Sequence, residues 1–138
     1  MNGQDFLRIV KEAFVPFLAE LGFTMGEPLI SGRLYRVVFN SLEHSVSVSF
    51  EPGEKTLFIW VSTREGGELA AIDDRSKTLR LSDLNRRYMK AVTAEQRASI
   101  DAFFKSVVVK DEEEKALLNS AKQLCLVLPK YLAEYRNR

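Results

Sequence analysis

The sequence predicts an α+β fold: an N-terminal helix, a three- to four-stranded antiparallel meander and two or three C-terminal helices, with residues 1–138 forming a single domain. Three observations predict it. Residues 34–63 hold three consecutive segments whose side chains alternate in character with period two, as half-buried strands require. Only Asn40-Ser41-Leu42-Glu43 and Glu51-Pro52-Gly53-Glu54 separate them, breaks short enough for hairpins. Apolar stripes at three- and four-residue spacing lie before and after this block, the mark of amphipathic helices packed on a sheet.

Taken in order, the first helix is expected over residues 3–21. Phe6, Ile9, Val10, Phe14, Phe17, Leu18 and Leu21 form its stripe, Asn2 its N-cap and Asp5 an acid in its first turn. Pro16 falls inside it and predicts a kink, and Gly22 supplies a left-handed stop from which Phe23 folds back on Leu18. Residues 24–32 read as a connection with a short edge strand at Leu29-Ile30. The strands of the meander are Leu34-Tyr35-Arg36-Val37-Val38-Phe39, Ser45-Val46-Ser47-Val48-Ser49-Phe50 and Lys55-Thr56-Leu57-Phe58-Ile59-Trp60-Val61. Residues 64–77 form a polar loop, after which either 69–72 or 78–81 can add a fourth strand. Ser82 caps a short helix to about Ala91. Thr93-Ala94-Glu95-Gln96 is a capping box ahead of a stripe at Ile100, Phe103, Phe104, Val107 and Val108. The last helix opens on Asp111-Glu112-Glu113-Glu114 and buries Leu117, Leu118, Ala121, Leu124, Cys125, Leu128 and Leu132, with a second proline at Pro129.

Composition narrows the function classes. A net charge of +1 provides no global attraction to nucleic acid or to an acidic membrane. The lone Cys125 rules out an internal disulfide and suits a reducing compartment. The first residues lack a basic n-region and apolar core, and no apolar run approaches the ~20 residues that span a bilayer. The expectation is a cytoplasmic protein that binds neither membrane nor nucleic acid.

Signals of chemistry are sparse. His44 is the single histidine, so one chain cannot build a two-histidine metal site. Ser41, Ser45 and Ser47 lie near it, but no Gly-x-Ser-x-Gly elbow is present, and His44 reads as a strand-end residue. Gly53-Glu54-Lys55-Thr56 has Glu54 between the glycine and lysine of a phosphate loop and is followed by a strand, so it reads as a hairpin turn. Cys125 falls on the apolar stripe of the last helix and reads as packing rather than as a nucleophile. No catalytic residue, cofactor or metal site is predicted.

Two features suit a binding surface. Charge is uneven: residues 43–74 hold seven acidic and two basic side chains, residues 75–97 seven basic and two acidic. The uneven charge reads as a basic patch for phosphate or an acidic partner, as an acidic surface that mimics phosphate to block a nuclease, with Glu65, Glu68, Asp73 and Asp74 the candidate contacts, or as two solvated faces that partly compensate each other. The basic segment interleaves only Tyr88 among its charges, which argues against a stacking platform for single-stranded nucleic acid. The second feature is the far side of the sheet. With Ser49 opposite Thr56, Ser45, Ser47 and Ser49 share a face with Phe58 and Trp60. Placing the first strand beyond the serines adds Tyr35, Val37 and Phe39, giving a serine-floored trough with aromatic walls. Tyr35, Ser45, Ser47 and Trp60 are its candidate binding residues. A strand apolar on both sides needs two covers, so the C-terminal helices are expected over Trp60, with a second copy of the chain or a ligand as the other possible covers.

The run Phe17-Leu18-Ala19-Glu20-Leu21-Gly22-Phe23, followed by the meander and by acidic and basic helices, resembles small uncharacterised bacterial α+β proteins, some of them similar to immunity proteins that neutralise polymorphic toxins. The resemblance covers residues 6–63 and implies a partner that is another protein. It carries no binding motif, so no residue role is transferred. The leading expectation is a non-enzymatic protein-binding module of immunity-like type. The alternatives are a small-ligand binder or enzyme using the serine trough, and a nucleic-acid binder if the 75–97 basic residues line one face.

Overall fold

The computed structural model describes residues 1–65, 68–69 and 77–137, and of 68 and 69 only the backbone. The fold is α+β, with seven strands in one antiparallel sheet among the described residues, more than the meander alone supplies. Its elements are helix α1 (Gly3–Ile9), a π-helical turn (Val10–Phe14), α2 (Val15–Glu20), strands β1 (Thr24–Met25), β2 (Leu29–Ile30), β3 (Tyr35–Asn40), β4 (His44–Glu51), β5 (Thr56–Glu65), β6 (Glu68–Leu69) and β7 (Thr78–Arg80). Helices α3 (Leu81–Tyr88), a 3-10 turn (Met89–Ala91), α4 (Ala94–Phe103) and α5 (Glu112–Arg136) follow.

The entry helix follows its local signals. Asn2 caps it, accepting from the Asp5 amide at 2.8 Å. Pro16 has no N–H to return to residue 12, and the chain answers with a π turn: the Val15 amide reaches five residues back to the Val10 carbonyl. The apolar stripe continues through it. At the far end Gly22 adopts φ +90, the Phe23 amide bonds the Leu18 carbonyl at 2.9 Å and Gly22 that of Ala19 at 3.0 Å, the Schellman pattern.

The meander is β3-β4-β5, with β1 and β2 both on the outer side of β3. Gly26 joins β1 to β2 with its amide 2.8 Å from the Val38 carbonyl, and a Cβ there would lie 2.9 Å from that oxygen, so the close approach requires glycine. The fourth strand beside β5 is Thr78–Arg80. Cross-strand partners set the faces: Tyr35–Phe50–Leu57, Val37–Val48–Ile59 and Phe39–Val46–Val61–Leu79 form three apolar rows on one side. Ser49 lies opposite Phe58, and it is Glu51 that faces Thr56. The β4–β5 faces are as expected because the two registers differ by an even number of residues. The β3 placement is corrected: Tyr35, Val37 and Phe39 belong to the Val46/Val48 face.

The helices pack on that same face. Phe6, Ile9, Phe14, Leu18, Leu117, Leu124 and Leu128 are fully buried in one core with the three apolar rows. Helix α5 also buries Val127 and Tyr131, outside the predicted stripe, while Cys125 is only half-buried. Helix α4 departs most from expectation. Its Thr93–Gln96 capping box forms, but none of its residues is buried, and it ends at Phe103. Of the predicted stripe only Phe104 enters the core, edge-on to Phe17, because the chain leaves the helix before Val107 and Val108 can share its face.

The segment after α4 is held by a buried acid. Glu114, 1% exposed, accepts from Arg8 Nη2 at 2.5 Å and from the Lys110 amide at 3.2 Å, while Arg8 Nη1 donates to the Val108 carbonyl at 2.8 Å. Removing the Phe14 ring from this closed core is expected to lower stability by about 3–5 kcal/mol, read as the shift in urea midpoint for Phe14→Ala; an unchanged midpoint would contradict the packing.

Candidate functional site

With every core-facing row covered, the opposite face of the sheet is the surface that the fold offers. It too is built of cross-strand rows. Leu29–Arg36–Ser49–Phe58 is one, Val38–Ser47–Trp60–Arg80 the next and Thr24–Asn40–Ser45–Ser62–Thr78 the third. The serines run down the middle of the face as the sequence anticipates. Their neighbours differ. Phe58 and Trp60 rise on the β5 side, but the β3 side is lined by Arg36, Val38 and Asn40, so the trough has an aromatic wall on one side only. Tyr35 is absent from it: the ring is buried on the core face against Phe6 and Phe50.

Hydrogen bonds level this floor. Arg36 Nε donates to Ser49 Oγ at 2.9 Å, and Ser45 Oγ donates to Asn40 Oδ1. The longer β3 side chains thereby fold over Ser45 and Ser49, each 2% exposed although none of the described helices covers them. Ser47, between them, is half-buried and lies 3.5 Å from Ser49 Oγ. Trp60 is half-buried as well, and its cover is not a C-terminal helix. The Arg80 guanidinium lies 4.9 Å from its ring centroid, a cation–π contact between neighbouring strands. That corrects the expectation of a helical second layer. α1, α2 and α5 all serve the other face, and the short polar and cationic side chains of this one tolerate water.

The predicted acids scatter. Glu65, at the end of β5, is exposed and pairs with Lys77 at 2.5 Å. Glu68 lies opposite it in the backbone ladder to β6. Asp73 and Asp74 lie outside the described residues.

At the Thr56 end of β5 the face turns into a cleft of about 410 Å³, lined among others by Leu57, Phe58, Trp60, Arg80, Ser82 and Ser120. Sequence reading missed it because it is assembled from β5, the β7–α3 junction and α5. The available signal was the shortness of the 78–80 strand against the ten residues of β5. Neither His44 nor Arg36 converges on it.

His44 lies on the core face, edge-on to Tyr131 and Tyr135 at 5.5 and 4.5 Å between ring centroids. Ser41 Oγ accepts from its backbone amide, not from its ring, and Ser45 points to the opposite face. Its Nε2 has no hydrogen-bond partner among the described residues. Burial lowers its pKa below 6.5, and Arg136 adds to this against the opposing pull of Glu43. Cys125 is equally unsuited to nucleophilic work, since burial pushes its thiol up to about 11. Among the described residues no three His, Cys, Asp or Glu side chains group closely enough to hold a metal ion, and no helix is long and apolar enough to cross a membrane. No family model, curated protein or solved structure matches the chain.

Two measurements check this placement. Because the folded state holds His44 neutral, its contribution to stability is full above the unfolded pKa of 6.5 and is lost as pH falls below it toward the folded value. The urea midpoint of the native chain should therefore fall between pH 7.5 and 5.5 more than that of His44→Phe, with a slope of at most about 1.4 kcal/mol per pH unit; parallel curves would refute the burial. Trp60 is the single indole. Its emission should be partly quenched by iodide at all protein concentrations, and complete protection would mean that something roofs the face.

Proposed function

We propose that this chain is a non-enzymatic protein-binding module that presents the outer sheet face to its partner. One observation carries the reading: Phe58, Trp60 and Val38 lie half-buried on a face that none of the described helices covers, beside the exposed cations Arg36 and Arg80. Aromatic and arginine side chains over a floor of small polar groups have the composition of binding hot spots, in which lysine and glutamate are scarce. The immunity-like form of the reading, in which the partner is a toxin, is supported by the resemblance of the helix end at residues 17–23 and of the meander. An adjacent toxin gene whose product the chain neutralises would strengthen that form.

The test is site-specific photo-crosslinking in the cell. A benzophenone side chain at Ser47, in the middle of the face, is expected to yield one discrete adduct with a second polypeptide, and the same probe at the exposed Lys105 none. Adducts of equal yield from both positions, or none from Ser47, would refute the module reading.

A further inference from the structure

The edge of β5 is unequally covered. β7 pairs it at Trp60, Val61 and Ser62, and the chain turns into α3 directly after Arg80, whereas β5 continues back to Thr56. No described strand accompanies Thr56–Ile59 on that side. Backbone direction there follows from the ladder. The Arg64 amide donates to Glu43 on the β4 side at 2.8 Å, and the Thr63 amide to Lys77 on the β7 side at 2.6 Å. Antiparallel pairing alternates these directions, so the odd-numbered residues of β5 address the β7 side. The N–H and C=O of Leu57 therefore point out of the sheet, toward the cleft of about 410 Å³.

A sheet edge with unspent donors and acceptors is complemented by another strand. The cleft flanks that edge with Leu57 and Ile59 on one side of the sheet plane and Trp60 on the other, so alternate side chains of an added strand meet apolar surface on both sides. Its charge is one-sided: among the described residues Arg80 is the ionised one that lines it, with the hydroxyls of Ser82 and Ser120 nearby. Arg80 is exposed and already lies over Trp60, which holds the guanidinium at the mouth of the cleft. A second copy of this chain pairing through the same edge would bring a second Arg80 and no acid from the cleft residues.

From this geometry we propose that β5 accepts an extended, carboxylate-bearing segment of a partner protein as an added strand at Thr56–Ile59, its carboxylate paired with Arg80. This deepens the module reading above and rests on it: the outer face supplies the broad contact and the edge supplies the main-chain recognition.

A phage-displayed random decapeptide library selected on the intact protein tests it. The selected sequences are expected to alternate apolar residues and to carry at least one aspartate or glutamate. In hydrogen exchange the best of them should slow the Leu57 amide, which is otherwise exposed at the edge. Arg80→Glu should weaken that peptide more than tenfold, the scale of a lost charge-assisted bond, and replacing its acids by lysine should do the same. Leu57→Pro deletes the edge donor without touching the β4 ladder and should weaken binding about five- to tenfold. Methylating alternate amides of the peptide tests the same bonds with the protein unaltered. Selected peptides that lack acids, equal binding by the N-methylated form, an unmoved Leu57 amide or an empty selection would each overturn the proposal. So would a concentration-dependent dimer in which Leu57 is protected without peptide, since that assigns the edge to a second copy. A Ser47 adduct with a partner alongside any of these failures leaves the module reading standing; loss of that adduct removes both.

Discussion

One-sided burial of the sheet is the constraint on which the remainder of the molecule depends. The rows Val37–Val48–Ile59 and Phe39–Val46–Val61–Leu79 present β-branched and aromatic side chains to a single side, and both the interrupted N-terminal helix and α5 lie against them. Helices on one side close a core, as a layered α+β domain requires. The same choice leaves the other side to serines, an asparagine and arginines, which satisfy one another across strands instead of needing a roof. A face of this kind is stable in water and keeps Phe58 and Trp60 half-buried at the surface.

Attachment of the helices is graded. α5 is bound along its length: its first turn through Glu114 to Arg8, its middle through Gln123 to Asn85 and its last turns through Glu134 to the Tyr88 hydroxyl at 3.0 Å. Those bonds also fix α3, and with it the point where β7 stops and the edge of β5 is left open. α4 has no buried residue of its own and is held chiefly by Phe104, which follows it, so it is the part of the helical layer most easily displaced.

The single histidine and the single cysteine are spent on structure. His44 is sealed between two tyrosines at the foot of α5 with its charge suppressed, and Cys125 is held as a thiol on the half-buried side of the same helix. Neither is paired with an activating base or acid among the described residues. What stays accessible is a surface: two aromatics, two arginines and a strand edge. That composition is what supports the protein-binding module proposed above.

Local elements were legible in the sequence wherever a single segment carries its own reason. The alternation at residues 45–50 and 55–61, the glycine stop after Leu21, the Thr93–Gln96 box and the acidic start of α5 each act within a few residues, and each forms as read except that Lys55 stays in the turn ahead of β5. The serine row facing Phe58 and Trp60 was also readable, because a short hairpin ties β4 to β5. The position of β3 was not. Alternation states that Tyr35, Val37 and Phe39 share a face, but which face depends on the pairing Tyr35–Phe50, set by the turn through Ser41 and His44, and a shift of one residue there exchanges every side chain between core and solvent. The same holds for the cover over Trp60 and the cleft beside Leu57. An apolar stripe shows that a helix will be buried, not against which side of the sheet, and a strand's pattern does not show where its neighbour ends. Those were settled only when the chain closed its core, since burying the three apolar rows uses both the N-terminal helix and α5, and the opposite face keeps what remains.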